Sequence, residues 1–398
     1  MFGALRSLPR TVWLIGAISL VNDSASELLY PLIPLYLSSV LLAGPRALGL
    51  IEGIAEATGS LLRLVSGVLR DRSRRTRPWL IAGYGLAGLA RPLTAFVSHW
   101  PWLLLLRFGD RVGKGLRSAP RDALLAASVE PARRGLAFGV HRAMDNAGAV
   151  IGPLVAAALL AAGVPLRQVF LWSAVPALLC VGLTLALREP ETALAPAPAG
   201  TARPPIDWRI GALPVPLRRY LVVVALFTLG NSSNLFLLLR ARELGVPQSR
   251  VPLLWAAVSA VAMLFSAPLS AWSDRIGRLQ VLRVGYLAYA LFYAAMALLT
   301  QGGLALLLLF AAYGIFMAAT DGVERALVAD LATPDREGTA FGWFHLTTGC
   351  LLLPASLLFG SLYEAAGPAA AFAFSAGCAG AALCLLAFWV RTPAVAGR

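Results

Sequence analysis

The chain has 398 residues, 58% of them hydrophobic and only 14% charged, with a formal net charge of +14 and a mean hydropathy of +0.73. So few charges cannot cover the surface of a water-soluble protein of this length, and apolar stretches of about 20 residues, long enough to cross a ~30 Å hydrocarbon core, recur from end to end. The basic excess falls in alternate loops (Arg70 to Arg77, Arg133 and Arg134, Arg203 to Arg219, Arg275 to Arg283), a topological bias that argues against a nucleic-acid surface.

Breaking the apolar runs at proline, glycine and charge clusters predicts an all-α membrane protein of twelve transmembrane helices. The first six fall near 11–41, 46–69, 78–98, 101–128, 135–162 and 165–187. The next six fall near 218–240, 250–272, 279–300, 302–331, 338–366 and 368–391. Two six-helix bundles, 1–187 and 218–398, then flank residues 188–217, whose Pro, Ala and Arg cannot bury a core and read as a cytoplasmic linker. The positive-inside bias puts both termini in the cytoplasm of a multi-pass inner or plasma membrane protein, with Arg240, Arg242 and Arg250 as a local exception. No small-residue cleavage site follows the first apolar run, which reads as a retained helix. Cys180, Cys350, Cys378 and Cys384 lie in apolar spans and are expected as small buried hydrophobes.

Ionisable residues at membrane depth are costly and face a cavity or one another. The first helix carries Asp23 and Glu27, one turn apart; the second carries Glu52, Glu56 and Arg63 on one face. The fourth carries Arg107, Asp110, Arg111, Lys114, Arg117, Arg121 and Asp122, Lys114 being the only lysine in the chain. At 1.5 Å per residue Lys114 lies ~20 Å from the outer end of its helix, level with Asp23, so that Asp23 and Glu27 are expected to face Arg111 and Lys114 across a cavity. The third, sixth, ninth and twelfth helices hold almost no such charge apart from Arg91, as expected of helices outside a pore. The fifth helix has Gly139, Gly148, Gly152 and Pro153 with Arg142 and Asp145 among them; glycines there admit a close second backbone. In the second half, Asn231 and Asn234 offer polar contacts, the tenth helix carries Asp321, Glu324 and Arg325, and the eleventh has Trp343, Phe344 and His345.

The halves repeat. An offset of 203, the difference between positions 274 and 71, lays Asp71-Arg72 on Asp274-Arg275 and Pro131, Arg133, Gly135, Ala137-Phe138-Gly139 on Pro334, Arg336, Gly338, Ala340-Phe341-Gly342. The same offset sets Arg121-Asp122 against Glu324-Arg325 with charges reversed, a candidate gating pair. After the second helix the chain reads Gly67-Val-Leu-Arg-Asp71-Arg72-Ser-Arg74-Arg75, and after the eighth Ser270-Ala-Trp-Ser-Asp274-Arg275-Ile-Gly277-Arg278. With twelve spans and a six-plus-six repeat, this resembles the major facilitator superfamily, whose signature in that loop is G-x-x-x-D-R-x-G-R-R; the chain departs from it with Arg74 where the family carries glycine. The resemblance implies a gating latch at Gly67, Asp71, Arg72, Arg75, Asp274, Arg275 and Arg278. The glycine spacing of the fifth helix is similar to the family's antiporter motif, found mainly in exporters, with Ala156 and Ala157 in place of its final glycines.

The sequence thus points to a secondary transporter that moves a small organic solute, anionic or amphipathic, by alternating access, with protons as coupling ion and export as direction. Its expected partners are that solute, protons and the bilayer; a monomer with no cofactor, no metal and no nucleic acid is expected. There is no nucleotide-binding G-x-x-x-x-G-K-[ST] run to couple ATP. The alternatives are a proton-driven importer of an anionic metabolite or metal chelate, a non-transporting receptor, and a membrane-embedded enzyme, for which no nucleophile–base set is visible. The intramembrane charges also serve equally well as a permanent salt-bridge network.

Overall fold

The computed structural model describes residues 5–33, 36, 41, 45–189, 207–231, 234–246 and 251–390, except for the side chains of 31, 45–57, 235 and 251–253. Among the described residues the chain is helical throughout. Helices α1 (Arg10–Leu29), α2 (Pro45–Ser73), α3 (Arg77–Leu93), α4 (Trp100–Ala127), α5 (Arg134–Ala161) and α6 (Leu166–Leu185, interrupted at Ser173) make the first half. The second half has α7 in two segments (Val215–Gly230 and Leu235–Glu243), α8 (Val251–Ile276), α9 (Arg278–Leu298) and α10 (Leu304–Leu331). A last helical run, Glu337–Phe388, is divided by Gly367 (φ 84) into α11 (337–366) and α12 (368–388). Among the described residues, seven runs are long and apolar enough to span a bilayer by themselves, the last of them counting twice. The other four helices are α2 and α4, rich in charge, α3, only 17 residues long, and the broken α7.

The interior is apolar, but so is much of the surface, and charged groups are buried within. Leu89, Leu178 and Leu298 are 63%, 73% and 81% exposed, while Asp122 and His141 are fully buried. Only a hydrocarbon solvent makes this distribution favourable, and in such a solvent every backbone group has to be satisfied within the helix. The cysteines do not all follow expectation: Cys180 is buried, but Cys350 and Cys384 are exposed and all four are free thiols. An apolar sulfhydryl is at no disadvantage against lipid.

Two helices break where a single span was expected. The first helix ends at Leu29 and tightens into a 3-10 turn over Tyr30–Leu32, where Pro31 lacks an amide donor. The seventh breaks after Gly230, with Asn231 at φ −96, ψ 76. The halves are otherwise built alike: α2 and α3 pack on α4 as α8 and α9 pack on α10. The turns that close α2 and α8 also match. Gly277 (φ 100) donates to the Ser273 carbonyl at 3.0 Å, and at the equivalent place Arg74 (φ 54) donates to Arg70 at 2.8 Å. Arg74, a departure from the family signature, therefore holds the left-handed conformation that glycine adopts without strain.

The chain divides into two compact units. The first comprises residues 1–130, 144–208 and 334–345; the second comprises 131–143, 209–333 and 346–398. The start of α11 thus belongs to the first unit and the start of α5 to the second.

Candidate functional site

In the first unit α1, α3 and α4 enclose a cavity of about 270 Å³. Its wall from α1 carries Asn22, Asp23, Ser26 and Glu27, followed by Tyr30; α3 contributes Arg91, and α4 contributes Asp110, Arg111, Lys114 and Arg117. Spacing explains the grouping: Asp23, Glu27 and Tyr30 recur at helical intervals on one stripe, as do Asp110, Lys114 and Arg117 on α4. Of the residues expected on a transport path, Asp23, Glu27, Asp110, Arg111 and Lys114 line this one space.

A hydrogen-bonded chain crosses the site. Asp110 accepts from Arg91 Nε at 3.0 Å and pairs with Arg107 at 3.5 Å. Arg91 Nη1 donates to both the carbonyl and Oδ1 of Asn22, each at 3.0 Å, and Asn22 Nδ2 donates to Asp23 Oδ1 at 2.8 Å. Arg117 lies over the Tyr84 ring, 4.7 Å from its centroid, and reaches the Gly83 carbonyl at 3.4 Å. Arg107 sits over Tyr30 at 5.9 Å. Glu27 lies in the field of Lys114 and Arg111, and Asp23 in that of Asp145, Lys114 and Arg121. One wall therefore offers two neighbouring carboxylates while the other offers cations, most of them already held by fixed partners.

The glycines of α5 set that wall. A Cβ on Gly148 would meet Leu20 O at 2.5 Å and Asp23 Cβ at 3.0 Å; one on Gly152 would meet Ser24 O at 2.7 Å and Leu28 N at 2.8 Å. The backbone of α5 lies directly against the turns of α1 that bear Asp23 and Glu27. Pro153 follows inside the same helix.

The repeated loop motif forms two equivalent caps. In the first unit Asp71 accepts from the amides of Gly338 (2.8 Å) and Thr339 (2.6 Å) and from Thr339 Oγ1 (2.7 Å), at the N-terminus of α11. In the second unit Asp274 accepts from Gly135 and Leu136, both at 2.9 Å, at the N-terminus of α5. An anion on free helix-end amides is favoured by hydrogen bonding and by the helix dipole. Arg278 buttresses the second cap, pairing with Asp274 and donating to the Pro131 carbonyl at 2.9 Å. Backbone approach is close at both: a Cβ on Gly139 would sit 2.7 Å from Ser266 O, and one on Gly342 would sit 3.1 Å from Arg63 O, positions again 203 apart. A Cβ on Gly67 would strike the Gly338 carbonyl. Arg72, Arg75 and Arg275 are exposed at the ends of these helices.

Other singled-out residues lie elsewhere. Arg142 pairs with Asp321 in the second unit. Asn231 and Asn234 receive the hydroxyls of Tyr289 (3.1 Å) and Tyr313 (2.8 Å) within a buried tyrosine and phenylalanine cluster. Of the four residues with reversed charge order, Arg121 donates to Asp122 (3.0 Å) and Ser19 (3.4 Å) and Asp122 meets His345 (2.8 Å). Glu324 accepts from Tyr286 (3.0 Å), and Arg325 donates to the Asp321 carbonyl (2.6 Å). Asp145 is buried. Glu52 and Glu56 lie in α2 with side chains outside the described residues. Sequence reasoning assigned no role to Arg91, Asn22 or Tyr84; a lone arginine in an otherwise uncharged span was the signal, because such a charge needs a carboxylate on a neighbouring helix.

Comparison with known proteins gives one answer. The family model described as Major Facilitator Superfamily matches residues 12–239 and 220–398. An MFS-type transporter of Methanocaldococcus jannaschii is 32% identical over 368 residues, 90% of each chain. The multidrug resistance protein MdtH of Enterobacter sp. (strain 638) is 27% identical over 307 residues, 75% of this chain and 72% of its own. Among solved structures, the human organic anion transporter MFSD10 superposes with a TM-score of 0.76 at 19% identity, covering 95% of this chain and 100% of that one.

Proposed function

Because the chain belongs to the major facilitator superfamily and is a multi-pass membrane transporter of a small molecule, we propose that it exports an amphipathic organic solute in exchange for protons. The supporting observation is the cavity of the first unit, where Asp23 and Glu27 share one wall. A solute whose polar head takes these carboxylates competes with protons for the same oxygens, and competition for one site is what exchange requires. The Arg91–Asn22–Asp23 chain holds one carboxylate in a fixed direction, so that it meets the solute without reorganisation. Similarity to MdtH, named for multidrug resistance, and the close α1–α5 glycine seam support efflux as the direction. In this reading the bundles 1–187 and 218–398 rock about the linker 188–217, the Asp71 and Asp274 caps break and reform, and both termini stay in the cytoplasm of the inner membrane.

One observation favours a second reading. The cavity is lined by four cations, Arg91, Arg111, Lys114 and Arg117, against three carboxylates. An organic anion would compete with Asp23 and Glu27 for the cations, and protonating the carboxylates would favour its binding. Anion and proton would then travel the same way. Proteoliposomes with an internal pH indicator separate the two. Exchange predicts that amphipathic cations or neutral solutes drive protons opposite to themselves, and that Asp23→Asn with Glu27→Gln abolishes this. Proton movement evoked only by organic anions, in the anion's own direction, overturns exchange in favour of symport.

A further inference from the structure

The two caps are equivalent, but what lies nearly two turns beyond them is not. On α5 the residue is Arg142, paired with Asp321 of α10. At the position 203 later, on α11, the residue is His345, whose Nε2 lies 2.8 Å from Asp122 Oδ2 of α4. Each pair closes the short helix start that belongs to a different unit from the rest of its helix: 131–143 for α5, 334–345 for α11. Arginine stays charged at every physiological pH, whereas imidazole changes charge within that range.

We propose that the Asp122–His345 pair is a proton-binding site that couples cytoplasmic pH to release of the α11 start, while its Arg142–Asp321 counterpart is a latch blind to pH. The inference rests on the transporter reading alone and not on any role of Asp23 or Glu27. When His345 is an imidazolium, its bond to Asp122 joins two full charges and is about twice as strong as one from a neutral ring. Asp122 is fully buried, so water cannot replace what the ring ceases to supply. Charged groups surround the pair, Asp23 and Asp145 among them through their charge interaction with Arg121. From α4, Arg121 donates to the other oxygen of Asp122 and itself lies in the field of Asp145 and Tyr84. From α2, Arg63 is the neighbouring charged residue, its carbonyl packed at Gly342 one turn from His345. Loss of the imidazolium charge weakens that bond to Asp122, and the hold on 334–345 then falls more heavily on its Asp71 cap and the Arg336–Asp207 pair.

The wild-type protein contains its own control, because Asp71 and Asp274 cap the two segments alike. Hydrogen exchange of the full chain in lipid nanodiscs is compared for peptides from 334–345 and 131–143 between about pH 6 and pH 8, each corrected for its intrinsic rate. The expected result is that exchange of 334–345 relative to 131–143 rises about tenfold with pH, the difference between a charge-assisted bond and a neutral one, and that His345→Arg removes the rise. A constant ratio in the wild type overturns the proposal, as does a rise that survives in His345→Arg.

Discussion

At the scale of single residues, Arg74 stores strain and Asp71 and Asp274 store hydrogen-bonding energy. A non-glycine side chain in the left-handed region costs about 1–2 kcal/mol, and Arg74 (φ 54) stands at the position where the second half carries Gly277 (φ 100). Arg74→Gly is expected to raise stability by about 1 kcal/mol, and Arg74→Val to lower it, as read by thermal unfolding of the purified protein. Each aspartate accepts from two backbone amides at a helix start, so Asp71→Asn and Asp274→Asn should each cost about 2 kcal/mol in the same assay. Asp71 also receives the Thr339 hydroxyl, and its loss should be the larger of the two. The caps were partly legible beforehand: the repeated Asp-Arg pair identified the acceptors, and an aspartate at a helix end has free amides as natural partners. That the amides come from residues 267 and 268 positions away for Asp71 could not be read from spacing, which reports only local neighbours.

At the scale of elements, the seam between α1 and α5 positions the site. Gly152→Ala places a methyl 2.7 Å from the Ser24 carbonyl and 2.8 Å from the Leu28 amide, and backbone cannot yield as a side chain does. The substitution should destabilise by about 1–3 kcal/mol and displace the carboxylate wall. Gly182→Ala in α6, where a Cβ meets nothing within 4 Å, should leave the unfolding temperature unchanged or raise it. Equal behaviour of the two variants would refute the close-packed seam. Apolar length set the span boundaries well except where chemistry intervened. Pro31 and the break at Asn231 ended helices inside runs that hydropathy reads as continuous, because a hydropathy window weighs transfer free energy and not backbone donors. Gly367 lay within a predicted boundary for the opposite reason: glycine followed by proline is a break visible in the sequence itself.

At the scale of the whole molecule, twelve helices and a duplicated half are properties of pattern, and pattern is what sequence carries. The 203-residue offset recovers equivalent caps, equivalent close approaches at Gly139 and Gly342, and equivalent helix pairings in the two halves. The cavity was legible only in outline. Asp23 and Lys114 could be put at one depth by counting residues, but the Arg91–Asn22–Asp23 chain depends on side-chain directions across two helices. Tertiary geometry of that kind leaves no periodic trace. The proposed function makes the charged space of the first unit the place where solute and protons meet.

That claim is tested most directly by chemical access to Ser26, which lines the cavity between Asp23 and Glu27. In a chain whose four native cysteines are replaced by serine, Ser26→Cys should react with a membrane-impermeant thiol reagent, and the reaction should slow when a transported solute is present. A cysteine there that stays unmodified from both faces of the membrane, across about pH 6 to pH 8, would contradict the assignment of this cavity to the transport path.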